Sequence, residues 1–121
     1  MTNIQQAKAN LEARAKRQRE SNRVLWAQAT EDCRKIVDMI IRKYEPKRII
    51  QWGSLLEPGA FDERSDIDLA VEGVTQPERY FALLGDAMEM TTFKLDVVQL
   101  EKIEPEFAEI IQSKGQVIYE K

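Results

Sequence analysis

Apolar residues recur at spacings of three and four through Ala29, Cys33, Ile36, Val37, Ile40, Ile41 and Tyr44. That stripe predicts a helix with one buried face. Glu45-Pro46 ends it, because proline pushes the residue before it out of the helical region. Residues 3–44 contain no proline or glycine, so the helical reading extends back to Asn3. There the apolar positions thin to Ile4, Ala7, Leu11 and Ala15, and Ser21-Asn22 offers a place for a break. Beyond Pro46 the period changes. Arg48–Trp52, Ile67–Val71, Lys94–Leu100 and Val117–Tyr119 read as strands. Between them, Thr75 is the expected N-cap of a helix with Pro77 in its first turn. Its core stripe is Tyr80, Phe81, Leu84, Ala87 and Met88. A last helix over Pro105–Ser113, with Phe107, Ala108, Ile110 and Ile111, stops at Lys114-Gly115.

Strands alternating with helices predict an α/β domain, a mixed sheet flanked by helices with a long N-terminal helical extension. A chain of 121 residues suits one such domain. Charge divides it further. Residues 1–23 carry six Lys/Arg and two Asp/Glu, whereas 24–121 carry twelve and nineteen. The organisation expected is therefore a basic helical arm, 1–23, on an acidic domain, 24–121. A solvated helix face accounts for the arm's charge without nucleic acid, and it leaves room for self-association through the helix.

Composition removes several chemistries. The chain has no histidine, which excludes His-based acid–base catalysis and the common zinc sites. Its single cysteine, Cys33, falls on the apolar helical stripe and reads as a small buried hydrophobe. One cysteine also forms no intrachain disulfide, in keeping with a cytoplasmic protein. No apolar run is long enough for a signal peptide or a membrane span.

What remains is carboxylate chemistry. The first strand stops at Gly53-Ser54, a polar loop follows, and the next strand opens with Asp66-Ile67-Asp68. Alternation puts both carboxylates on one face and Ile67, Leu69 and Val71 on the other. At about 5 Å and an effective dielectric near 20, two such charges repel by ~3 kcal/mol. A shared cation removes that conflict, and all-oxygen ligation suits Mg²⁺. Asp96, in a strand of apolar neighbours, makes sense if it faces the same ion from an adjacent strand. Gly53 lets backbone N–H groups approach a phosphate, and the Ser54 hydroxyl can donate to one. Each piece alone is commonplace; the order strand, Gly-Ser, loop, Asp-x-Asp strand, Asp strand is specific.

In that order the chain resembles the minimal nucleotidyltransferases of the DNA polymerase β superfamily, over about Ile36 to Tyr119. The resemblance implies a nucleotidyltransferase fold and transfer of AMP from ATP with two Mg²⁺ ions. Asp66, Asp68 and Asp96 would be both the catalytic and the metal residues. Gly53, Ser54, Arg64 and Ser65 would hold the nucleotide. Where many members carry Arg-Gly after Gly-Ser, this chain reads Leu55-Leu56-Glu57-Pro58-Gly59, which leaves Arg64 as the candidate triphosphate contact. Small members are often antitoxins paired with HEPN-type toxins, so the resemblance implies such a protein partner. Two other readings stand beside it: a non-catalytic module that neutralises its partner by contact, and an antibiotic-type enzyme completed by another subunit. The core is expected to end at Tyr119 with no second domain to wall in a small acceptor, which favours a protein hydroxyl.

Overall fold

The computed structural model describes residues 3–121. Helix α1 runs without interruption from Asn3 to Tyr44, roughly 63 Å at 1.5 Å per residue. Ser21-Asn22 makes no break. Gln18 Nε2 donates to Asn22 Oδ1 at 2.9 Å, and Arg23 pairs with Glu20 at 2.7 Å. Such bridges one turn apart add a few tenths of a kcal/mol each and occupy the side chains that would otherwise cap a second helix. At the other end Glu45 takes a left-handed φ of 49° ahead of Pro46, and the helix stops there.

The remaining elements are β1 (Arg48–Trp52), two short 3₁₀ turns (Ser54–Leu56 and Pro58–Ala60), β2 (Ile67–Glu72), α2 (Pro77–Met88), β3 (Leu95–Gln99), α3 (Pro105–Lys114) and β4 (Gln116–Glu120). The strands form one mixed sheet in the order β3-β2-β1-β4. β1 is antiparallel to both β2 and β4, and β2 is parallel to β3.

Neighbouring residues of a strand serve opposite faces, and Ile49 and Ile50 illustrate the rule. Ile49 joins Ile67, Leu69 and Val71 under α1 and α2, against Ala29, Cys33, Ile36, Ile40, Leu83 and Ala87. Ile50 joins Ala70, Leu100 and Ile111 under α3. The sheet is thus sandwiched, with the larger core on the α1–α2 side.

Several local expectations change. Gln76, not Thr75, is the N-cap of α2, and no side chain caps it; Pro77 at the first helical position supplies the start signal instead. On α2 the buried residues are Leu83 and Ala87, whereas Phe81 and Met88 are 67% and 62% exposed. The core-facing stripe is rotated because α1 packs against the Leu83 side. On α3, Ile111 is buried and Ile110 is exposed. Gly115 ends α3 in extended backbone (φ −81°) rather than a left-handed cap. It is needed for closeness: a Cβ there would lie 2.6 Å from Ile50 Cγ2 and 2.5 Å from the Ile111 carbonyl oxygen.

Candidate active site

Asp68 and Asp96 are register partners across the parallel pair β2–β3, so their side chains stand next to one another on one face. That face is the α3 side, because Ala70 and Val98, two residues further along each strand, pack in the α3 core. Asp66 lies one residue before β2 at the same rim. The sheet therefore brings the three carboxylates of the sequence pattern to one place. They come from the amino ends of β2 and β3, beside the carboxyl end of β1. An open doubly wound sheet would use the carboxyl ends of its parallel strands; the antiparallel β1–β2 connection inverts that arrangement.

The surroundings of the acids differ. Asp68, at 9% exposure, is the one buried polar or charged residue among the described residues. Asp96 is exposed and sits on an edge strand, not a central one, so its burial is only partial. Burial, then the charges of Asp96 and Asp66, push the Asp68 carboxyl up to about 7. Asp96 is also raised, by burial and then by Asp66. Negative charge from neighbouring carboxylates thus raises both Asp68 and Asp96, a conflict that a cation between them would relieve. Like charges so placed stand apart. Among the described residues no three acidic or cysteine side chains close to metal-ligand spacing. By chemistry the set fits Mg²⁺: three carboxylate oxygen donors gathered at an open rim.

Gly53 completes the cradle. Its backbone holds φ 84° and ψ −164°, a region essentially reserved for glycine. A Cβ there would lie 2.2 Å from Asp68 Oδ2. Glycine is therefore what lets the end of β1 pass over the carboxylate. Ser54 then opens a single 3₁₀ turn closed by Glu57 N–H donating to the Ser54 carbonyl at 3.1 Å. One turn has almost no helix dipole, so Ser54 offers its own N–H and hydroxyl without the field of a helix N-terminus. Leu55, 2% exposed, anchors the turn in the core. From α1, Trp26 Nε1 donates to the Leu55 carbonyl at 3.0 Å, which ties the Gly53-Ser54 loop to the long helix.

Arg64 and Ser65 sit differently from one another. Asp62 Oδ1 accepts from the Arg64 N–H at 2.9 Å and from the Ser65 hydroxyl at 3.3 Å. The Ser65 oxygen in turn accepts from the Asp62 N–H at 3.0 Å. Ser65 is thus engaged in a turn that delivers the chain to Asp66. The Arg64 guanidinium is 88% exposed and 3.9 Å from Asp62, free to swing toward a ligand. Cys33 is buried with its thiol pushed up to about 11 by burial, which makes it a core residue and not a nucleophile.

Two features had no clear sequence signal. Met88, Thr91, Phe93 and Lys94 join Asp66 and Asp96 around an open hollow of about 600 Å³. It exists because the α2–β3 connection stands off the start of β3, which a linear pattern does not reveal. Trp52, register partner of Asp68, packs edge-on to Phe107 with ring centroids 5.4 Å apart. Its buried indole N–H has no hydrogen-bond partner. The pair walls the carboxylate face on the β1 side.

A family model described as "Polymerase beta, Nucleotidyltransferase" matches residues 34–121. The match takes in all four strands, Gly53-Ser54 and the three aspartates, and begins within the second half of α1. No curated protein matches the chain.

Proposed function

The chain belongs to the polymerase β nucleotidyltransferase family, and from that premise we propose that it transfers AMP from ATP, with Mg²⁺, to a hydroxyl on a protein partner. The observation that carries the reading is the juxtaposition of Asp68 and Asp96 across β2–β3, with Gly53 fitted against Asp68. Asp66, Asp68 and Asp96 would hold the metal. Bound there, Mg²⁺ would neutralise triphosphate charge and lower the pKa of an attacking hydroxyl. Gly53 and Ser54 would present backbone N–H and hydroxyl donors to the outgoing phosphates. Arg64 would supply the mobile cation that the Leu55–Gly59 stretch lacks. Asp96, the most exposed carboxylate of the three, would meet the acceptor hydroxyl and accept its proton as the new P–O bond forms and pyrophosphate departs.

The acceptor side is open. The hollow beside Asp66 and Asp96 is a broad depression, whereas a small acceptor needs walls that bury most of its surface. A macromolecular acceptor brings its own wall. An antitoxin role toward a HEPN-type toxin is the form of this reading that the family resemblance suggests. The test is incubation of the protein with labelled ATP, Mg²⁺ and the product of its neighbouring gene. Label on that protein, lost with Asp96→Asn, is the expected result. Label on an aminoglycoside or free nucleotide instead would overturn the protein-acceptor reading. Binding of the neighbour without label would favour a contact-only module.

A further inference from the structure

Among the described residues, two helix faces present large apolar side chains that are mostly exposed. One is on the arm. Side chains from Asn3 to Ser21 are exposed throughout, and Ile4 and Leu11 are 85% and 63% exposed. They flank Ala7 on one side of α1 at spacings of three and four. The other is on α2, where Phe81 and Met88 flank Gly85 at spacings of four and three. There Phe81 touches the ring of its neighbour Tyr80, and its outer side stays open. Both faces read large, small, large over seven residues, roughly 10.5 Å of helix.

Gly85 sharpens the match. A glycine inside a helix destabilises it relative to alanine. Here the fold offers no reason for one, since a Cβ at Gly85 would meet nothing within 4 Å. What a glycine does permit is the close approach of another helix. Charge agrees: the arm is basic around its stripe, with Lys8 and Arg14, and exposed Glu78 and Glu89 bracket the α2 stripe.

The two faces cannot meet within one chain. α2 packs along the far half of α1, through Arg79 donating to the Tyr44 carbonyl and Lys43 paired with Asp86. The α2–β3 connection reaches α1 at Asp32, which accepts from Thr91 Oγ1 at 2.7 Å. Leu11 lies 21 residues further up a straight helix, roughly 31 Å away.

We propose that a second copy of the chain supplies the partner. The arm of each copy lies antiparallel on α2 of the other, with Leu11 over Phe81, Ala7 against Gly85 and Ile4 over Met88. Arg14 then falls one turn beyond Leu11, beside Glu78. Because Met88 also lines the hollow next to Asp66 and Asp96, the arm of one copy ends at the site of the other and adds a wall to it.

The experiment is sedimentation equilibrium on the full chain, without metal or nucleotide, so that its outcome is separate from that of the transfer reaction. The expected mass is twice the 14.0 kDa of the chain. Leu11→Glu and Phe81→Glu, both at exposed positions and checked for native circular dichroism, should each shift it to the monomer. Gly85→Gln should leave the fold intact or firmer yet weaken the dimer at least tenfold. The double variant Ile4→Cys with Met88→Cys should form a disulfide-linked dimer on oxidation, with buried Cys33 inert. A monomeric wild-type chain would overturn the proposal. So would a dimer that loses its affinity with Leu11→Glu but ignores Phe81→Glu and Gly85→Gln, because the arm would then be pairing elsewhere.

Discussion

Replacing Asp68 with asparagine should make the metal-free protein more stable at pH 8 and leave it unchanged near pH 4. The reason lies in where the carboxyl sits. It is 9% exposed, and burial with the charges of Asp96 and Asp66 lifts it from 3.8 to about 7. A group whose folded pKa exceeds its unfolded one binds its proton more tightly in the native state. Its contribution to stability is therefore complete below about pH 4 and is lost as pH rises through 7. At ~1.36 kcal/mol per pKa unit, the full swing for Asp68 is on the order of 4 kcal/mol. The rim admits water, which relaxes the charged form, so a measurable swing of roughly 1–3 kcal/mol is the working figure. At about 4 °C per kcal/mol for a domain of this size, the variant should melt roughly 4–12 °C above wild type at pH 8. The assay is calorimetry of both proteins from pH 4 to 9 in a chelator. Carboxyls remote from the site titrate in both proteins alike, so the difference reports Asp68 together with its coupling to Asp66 and Asp96. Curves that run parallel across the range, or a variant that is weaker at pH 8, would refute the reasoning and show Asp68 to be stabilised as an anion.

Mg²⁺ with ATP should raise the melting temperature of wild type, since a ligand of the folded state alone stabilises it; Asp66→Asn with Asp68→Asn should abolish the rise, and a rise that persists would put the nucleotide elsewhere. Gly53→Ala, at φ 84° with its Cβ 2.2 Å from Asp68 Oδ2, should cost at least ~1–3 kcal/mol of backbone strain in urea unfolding. Gly59→Ala, where a Cβ meets nothing within 4 Å, should stay within about 0.5 kcal/mol of wild type. Removal of residues 1–22 should leave a domain that still unfolds cooperatively in urea, because within one chain the side chains from Asn3 to Ser21 are exposed, while any stabilisation from dimerisation is lost with the arm; a loss of cooperative unfolding would show that the arm belongs to the core.

The elements of this fold were legible because each depends on a local period. The stripe from Ala29 to Tyr44 is buried except for partly exposed Ile41, and Arg48–Trp52 is a strand with the predicted bounds. Asp66-Ile67-Asp68 was legible for the same reason: alternation alone puts Ile67 in the core, at 0% exposure, and Asp68 on the other face. Registers, edges and rotations were not, because they are set by what packs from elsewhere in the chain. Asp96 lies on an edge strand since β3 pairs only with β2, and no property of Lys94–Leu100 states that. Phe81 and Met88 point outward because α1 takes the Leu83 side of α2, a choice between two apolar stripes that hydrophobicity alone leaves even. Gly53 reads in sequence as a turn residue. Only the tertiary structure, by laying the end of β1 against Asp68, makes it the one residue that fits, because a side chain there would occupy the space the carboxylate already fills.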